Sequence, residues 1–194
     1  MKKWNIFLVT LVGSALIWPS LHAQETNPSP ILPATKLEAS ETNVGAIVLK
    51  ATTDLGAVST ASGVVTVRYK ENTDTATGHK EHGLAIELAR QFPPKDTMLI
   101  DYDELASLLN AIDYLSKVDV GVTSLNSFDA AYTTKGGFRI AALGTRRTGI
   151  VQFGLRDVRV TAPPFLPLPL SRDEMTRLWT LIDQAKQQLD ALRR

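Results

Sequence analysis

Three groups of side chains in this sequence have the types and spacing to do chemistry. His79-x-x-His82, with Asp74 and Glu81 beside it, offers imidazole and carboxylate donors that would hold a divalent metal if one helical turn aligned them. Asp101, Asp103, Glu104, Asp173 and Glu174 fall in two tight clusters of the kind used for general acid–base work or metal ligation. Lys135, Arg139, Arg146, Arg147, Arg156 and Arg159 are interleaved with Tyr132, Phe138 and Phe153. Such a set would grip an anionic polymer through phosphate or carboxylate contacts, with stacking on the rings.

The elements carrying these residues decide which chemistry survives. The histidines lie in a polar stretch from Glu71 to His82, whose Gly78 and four threonine or aspartate neighbours read as a hairpin connection. A hairpin does not hold a His-x-x-His spacing, so no metal is expected. Asp101-x-x-Glu104 and Ser171-x-x-Glu174 each have the form of a capping box, in which the short side chain accepts from a backbone N–H and the glutamate reaches back. Asp103 and Asp173 then add negative charge to the first helical turn, where the macrodipole favours it. The carboxylates are thereby assigned to helix caps rather than catalysis.

Familiar enzyme signatures are missing. There is no Gly-x-Ser-x-Gly elbow, no Ser-x-x-Lys, no cysteine for a Cys–His pair and no Walker loop, and Gly136-Gly137 lacks the dinucleotide spacing. No cofactor is expected.

Self-similarity at an offset of 70 organises the rest: Pro93 to Val118 aligns without gaps on Pro163 to Gln188, with seven of 26 positions identical. Each copy leads into an amphipathic helix. The first carries Leu105, Leu108, Leu109, Ile112 and Leu115 at helical spacing, and the second Met175, Leu178, Trp179, Ile182, Ala185, Leu189 and Leu192. Short β-branched segments precede them and predict strands over Val44–Thr52, Gly63–Lys70, Gly83–Arg90 and Thr97–Ile100, then Phe128–Thr134, Phe138–Leu143, Ile150–Leu155 and Val158–Thr161. Strands followed by a helix, twice, predict an α+β protein of two related units, each an antiparallel sheet of about four strands closed by one helix. The first unit is expected over residues 38–120 and the second over 121–194, packed together as one body. The proline-rich stretch Pro163–Leu170 should run extended into the last helix without entering a central strand.

The N-terminus reads as an address. Lys2 and Lys3, the apolar run Trp4–Trp18, Pro19 and the box Leu21-His22-Ala23 predict an export signal over residues 1–23, cleaved after Ala23. Residues 24–37, with three prolines up to Pro33, predict a flexible linker. Removing Lys2 and Lys3 takes the formal charge from +1 to −1, which does not suit a globally basic nucleic-acid binder. No membrane span is expected after cleavage, and with no cysteine the exported domain must rely on its apolar core. Charge is uneven, with seven acidic residues against Lys117 between Asp96 and Asp129, and eight basic against three acidic between Lys135 and Arg177.

The element order resembles the tandem four-strands-then-helix units of the Whirly and Pur-alpha single-stranded-nucleic-acid-binding proteins. That resemblance covers most of the chain beyond the linker, rests on order rather than a matched motif, and implies a fold without carrying over any binding residue. The expected role is an exported, non-catalytic binding or structural protein whose partner is another protein or a second copy. The alternatives are an anionic-polymer binder using the basic second half and, behind it, a hydrolase of unfamiliar design.

Overall fold

Alternation of apolar and polar residues builds two antiparallel meanders in the computed structural model, which describes residues 33–90, 95–160 and 166–192. The first sheet has the order β1 (Val48–Thr60), β2 (Gly63–Asp74), β3 (Lys80–Arg90), β4 (Lys95–Asp101). The second has the order β5 (Ser127–Thr133), β6 (Phe138–Thr145), β7 (Ile150–Asp157), β8 (Leu168–Leu170). Each sheet is followed by a helix: a 3-10 turn (Tyr102–Glu104) and α2 (Leu105–Lys117) after the first, α3 (Arg172–Leu192) after the second. A short helix, α1 (Lys36–Glu41), precedes β1. The expected export signal of residues 1–23 and most of the expected linker lie outside the described residues.

The period of two puts Val65, Val67, Leu84, Ile86, Leu88, Met98 and Ile100 on one face of the first sheet. Phe138, Ile140, Ala142, Phe153 and Leu155 do the same in the second. The helices supply their stripes to the same core, Leu105, Leu108, Leu109, Ile112 and Leu115 from α2 and Met175, Leu178, Ile182, Ala185 and Leu189 from α3. The helices are exchanged. α2 packs on β5 and β6 of the second sheet, while α3 packs on β1, β2 and β3 of the first. Leu181 of α3 lies so close over Gly56 of β1 that a Cβ there would meet its methyl, and Trp179 Nε1 donates to the Leu109 carbonyl at 3.1 Å to tie the helices together. Both sheets therefore share one core within a single compact unit from Leu32 onward.

Several boundaries differ from the pattern-based expectation. The linker assigned to residues 24–37 gives way to ordered chain by Thr35, which caps α1 in a true capping box with Glu38, and Leu37 is fully buried against Ala85 and Leu99 on the outer face of the first sheet. One long-range apolar contact outweighs the local polar composition. β1 starts later and runs further than Val44–Thr52, with a register shift between Asp54 and Gly56. Val158 and Arg159 form a bend and Val160 is irregular, so no strand forms there, and Thr161 lies outside the described residues; the fourth strand of the second sheet is Leu168–Leu170. That strand is an edge, so Pro169 opposite Gly154 removes no ladder bond a further strand would need.

Candidate functional site

The cap motifs separate into one box and one long-range anchor. Ser171 Oγ accepts from the Glu174 N–H at 3.2 Å and the Ser171 N–H donates to Glu174 Oε2 at 2.6 Å, closing the box on α3. Asp101 makes no such cap. Its carboxylate accepts instead from the N–H groups of Lys36 and Leu37, at 2.8 and 3.1 Å, and so pins the start of α1. Glu104 accepts from the Lys135 N–H at 2.8 Å, bridging the two halves, while its other oxygen is buried without a hydrogen-bond partner among the described residues. The local spacing suited a cap, but a 3-10 turn intervenes before α2 and turns both side chains to distant backbone.

His79 and His82 are not brought together. His79 Nε2 meets Glu81 Oε1 at 2.8 Å at the exposed end of the β2–β3 hairpin. His82, one strand position out of phase, lies against Tyr69, with Nδ1 2.8 Å from the tyrosine oxygen, and near Glu71. Burial and Glu71 push the Tyr69 hydroxyl up to about 12. Among the described residues no group of three or more His, Cys, Asp or Glu is arranged to hold a metal.

The basic set divides along the same period of two. Lys135 and Arg159 belong to the seam between the sheets: Lys135 Nζ lies 3.5 Å from Asp103, and Arg159 pairs with Asp157 and Glu38 and donates to the Thr97 carbonyl. Burial works against the Arg159 charge, but Asp157 and Glu38 outweigh it and hold the guanidinium above its ordinary value. The acidic first half and the basic second half thus neutralise each other here within one chain.

The rings are on the wrong side for stacking. Phe138 and Phe153 are buried, and Tyr132 packs against the core beside α2, its hydroxyl raised by burial and Glu104. Arg172 covers Phe153 from the helix side, 5.3 Å from the ring centroid. The stacking half of the polymer expectation is therefore overturned, because a strand that turns its aromatics to the helices must turn its intervening residues outward.

Those intervening residues make a site. Arg139 of β6 stands directly opposite Arg156 of β7 on the outer face of the second sheet. Ala131, Ala141 and Gly154 lie side by side across β5, β6 and β7. Ala141 and Gly154 floor a hollow of about 150 Å³ walled by the two arginines, Asp129, Leu143 and Pro167. Asp129 reaches Arg139 at 3.6 Å, whereas among the described residues no carboxylate pairs with Arg156. A second hollow adjoins it, shares Asp129 and Leu143, and continues past Thr145, Thr148 and Gln152 toward the β6–β7 turn. Arg146 and Arg147 stand exposed in that turn, with Arg146 donating to the Ser124 carbonyl at 3.0 Å. Sequence reasoning named the arginines but missed Asp129, Ala141, Gly154 and Pro167. The signal available was parity: the inward rings at 132, 138 and 153 fix which neighbours face out.

Fold and site together define an α+β protein with two antiparallel sheets, exchanged helices and one open basic sheet face. No protein-family model matches the chain, and neither a curated protein nor a solved structure matches it. Among the described residues no helix is long and apolar enough to cross a membrane.

Proposed function

We propose that this is a non-catalytic binding protein working outside the cytoplasm, and that the outer face of its second sheet takes an anionic ligand. The observation that carries the reading is the Arg139–Arg156 pair, two like charges set side by side at a small-residue floor, with one exposed carboxylate, Asp129 of β5, paired to Arg139 from the side away from Arg156. Like charges directly opposite in a sheet are unfavourable unless an anion joins them. A carboxylate or phosphate accepts bidentate hydrogen bonds from such guanidinium groups.

The trough favours a polymer over a lone anion. Arg146, in the turn just past β6, lies seven residue steps from Arg139, roughly 23 Å at extended rise, so a chain of repeated negative charges could touch both ends. Affinity then comes from displaced counterions rather than from stacking. The export signal of residues 1–23 supports a ligand outside the cytoplasm, and N-terminal sequencing of the exported protein should begin at Gln24.

Titration with heparin and with single-stranded oligonucleotides, at rising salt, tests the reading and separates two sources of polyanion. Binding to at least one should weaken steeply with salt and vanish in Arg139→Ala with Arg156→Ala. Arg146→Ala with Arg147→Ala should weaken long polymers and spare short ones. Salt-independent binding, or full binding by the first double variant, would sink the proposal.

A further inference from the structure

A different face of the molecule points to a partner. β1 is the terminal strand of the first sheet, and from Leu49 to Asp54 it is exposed on both faces. The opposite end of that sheet is closed, since the turn at Gly136 abuts the Leu99 carbonyl so tightly that no Cβ would fit and Arg159 donates to the Thr97 carbonyl. Open edges of this length are ordinarily blunted by proline, clustered lysines or a covering loop. The register shift between Asp54 and Gly56 ends the regular edge at Asp54, and Val48–Asp54 has no proline and one lysine, Lys50.

The outer face gives that edge a specific complement. Lys95 Nζ lies 2.8 Å from Glu87 Oε2, Arg68 Nη1 donates to the same oxygen at 2.8 Å, and Arg68 Nε donates to Asp54 Oδ1 at 2.6 Å. The signs alternate from β4 to β1 and stop at Asp54, whose side chain is 70% exposed at the edge. The next member of the row would be a cation.

We propose that a second copy of this chain supplies it, with β1 pairing antiparallel to β1 of that copy about a two-fold axis at Thr52. In this register Lys50 of each copy faces Asp54 of the other, Ala51 faces Thr53, and the two first sheets become one of eight strands. Lys50 now reaches Glu41 at 3.3 Å, but Glu41 also holds Lys70 at 2.6 Å, so Lys50 can turn without leaving that carboxylate unpaired. Leu49, 60% exposed, is carried toward Leu55 of the second copy, which packs on the core. Pairing like edges closes after two copies, whereas pairing β1 with an edge strand of the second sheet, β5 or β8, would continue into open assemblies. The inference is independent of the anionic ligand, which uses the other sheet.

Light scattering of the native protein should show a dimer that dissociates on dilution. Thr52→Cys gives a chain otherwise free of cysteine a single thiol at the axis, and mild oxidation should trap a covalent dimer. Thr148→Cys, on the exposed β6–β7 turn, should not be trapped. Lys50→Glu sets two like-charge pairs in the interface and should weaken the dimer about tenfold, and adding Asp54→Lys should restore it. Any one of these results overturns the proposal: a monomer from micromolar to millimolar concentration, assemblies that keep growing, equal trapping of both cysteine variants, or a double variant no better than Lys50→Glu.

Discussion

On the outer face of the first sheet, Arg68 sits between Asp54 and Glu87, Lys50 and Lys70 share Glu41, and α1 lays Leu37 over Ala85 and Leu99. On the outer face of the second, Arg156 has Arg139 opposite it and, among the described residues, no helix above it. The same meander has thus been finished in two ways. One face has its charges neutralised and its centre roofed, so it serves stability; the other keeps two facing guanidinium groups accessible with one carboxylate, Asp129, paired to Arg139 alone, a cost in self-repulsion that the proposed anionic ligand would relieve. The long helices α2 and α3 cannot account for the difference, because they cover the inner faces of both sheets; α1, laid on the outer face of the first sheet alone, does.

The largest expected break in this contrast is Leu37→Ala. Removing a fully buried side chain from the roof of the first sheet should cost about 3 kcal/mol in chemical denaturation, whereas Leu143→Ala on the open face should cost less than about 0.5 kcal/mol. Comparable losses at the two positions would mean that the second face is also covered.

Asp101→Ala comes next. It leaves the N–H groups of Lys36 and Leu37 without their buried acceptor and should cost about 2 kcal/mol, against about 1 kcal/mol for Ser171→Ala, whose effect is confined to one helix end. Loss of helix signal from α1 alone in Asp101→Ala, read by NMR, would sharpen the assignment. A milder effect than that of Ser171→Ala would contradict it.

Charge reversal probes the faces directly. Arg68→Glu places a carboxylate between two others and should lower stability by about 1 kcal/mol without touching anionic-ligand binding. Arg156→Glu should leave melting unchanged or raised, because it replaces the like charge opposite Arg139 with a second carboxylate beside Asp129, while removing ligand binding. The opposite pattern would reverse the roles of the sheets.

The smallest effect is with pH. Burial pushes the Glu41 carboxyl up, but Lys70 and Lys50 outweigh it and hold it low; Lys80 holds Glu71 low; the N–H groups of Ala76 and Thr77 hold Asp74 low. All three belong to the first sheet or its flanks. A carboxylate held low in the folded state contributes stability above its ordinary value, here 4.5 or 3.8, and loses that contribution as pH falls through the lower folded value. Hydrogen exchange between about pH 6 and about pH 3 should therefore show β1 and β2 losing protection before β6 and β7. Loss in the reverse order would break the prediction.

Much of this was legible before any coordinates. Leu105 through Leu115 and Met175 through Leu189 announce their helices by spacing, and Phe138, Ile140 and Ala142 announce a strand that is buried on one side, because local periodicity reports directly which face meets the core. The candidate site was legible by charge and not by neighbourhood. Arg139 and Arg156 read as two of six equivalent cations, and only pairing in register distinguishes them from Lys135 and Arg159, which the fold uses to join its halves.

The chain's pattern by itself determined the α+β class, the repeat of a strand run followed by a long helix, the cap at Ser171 and the want of disulfides, since each follows from residues close together in sequence. Tertiary structure decided which sheet each helix covers, that Asp101 serves α1 instead of its own helix, and that the two arginines meet over Ala141 and Gly154. Those outcomes depend on contacts between segments far apart in sequence, as with Asp101 and Lys36, 65 residues apart, or Trp179 and Leu109, 70 residues apart. No local pattern encodes them, because many distant partners could satisfy the same side chain and only the closed core selects one.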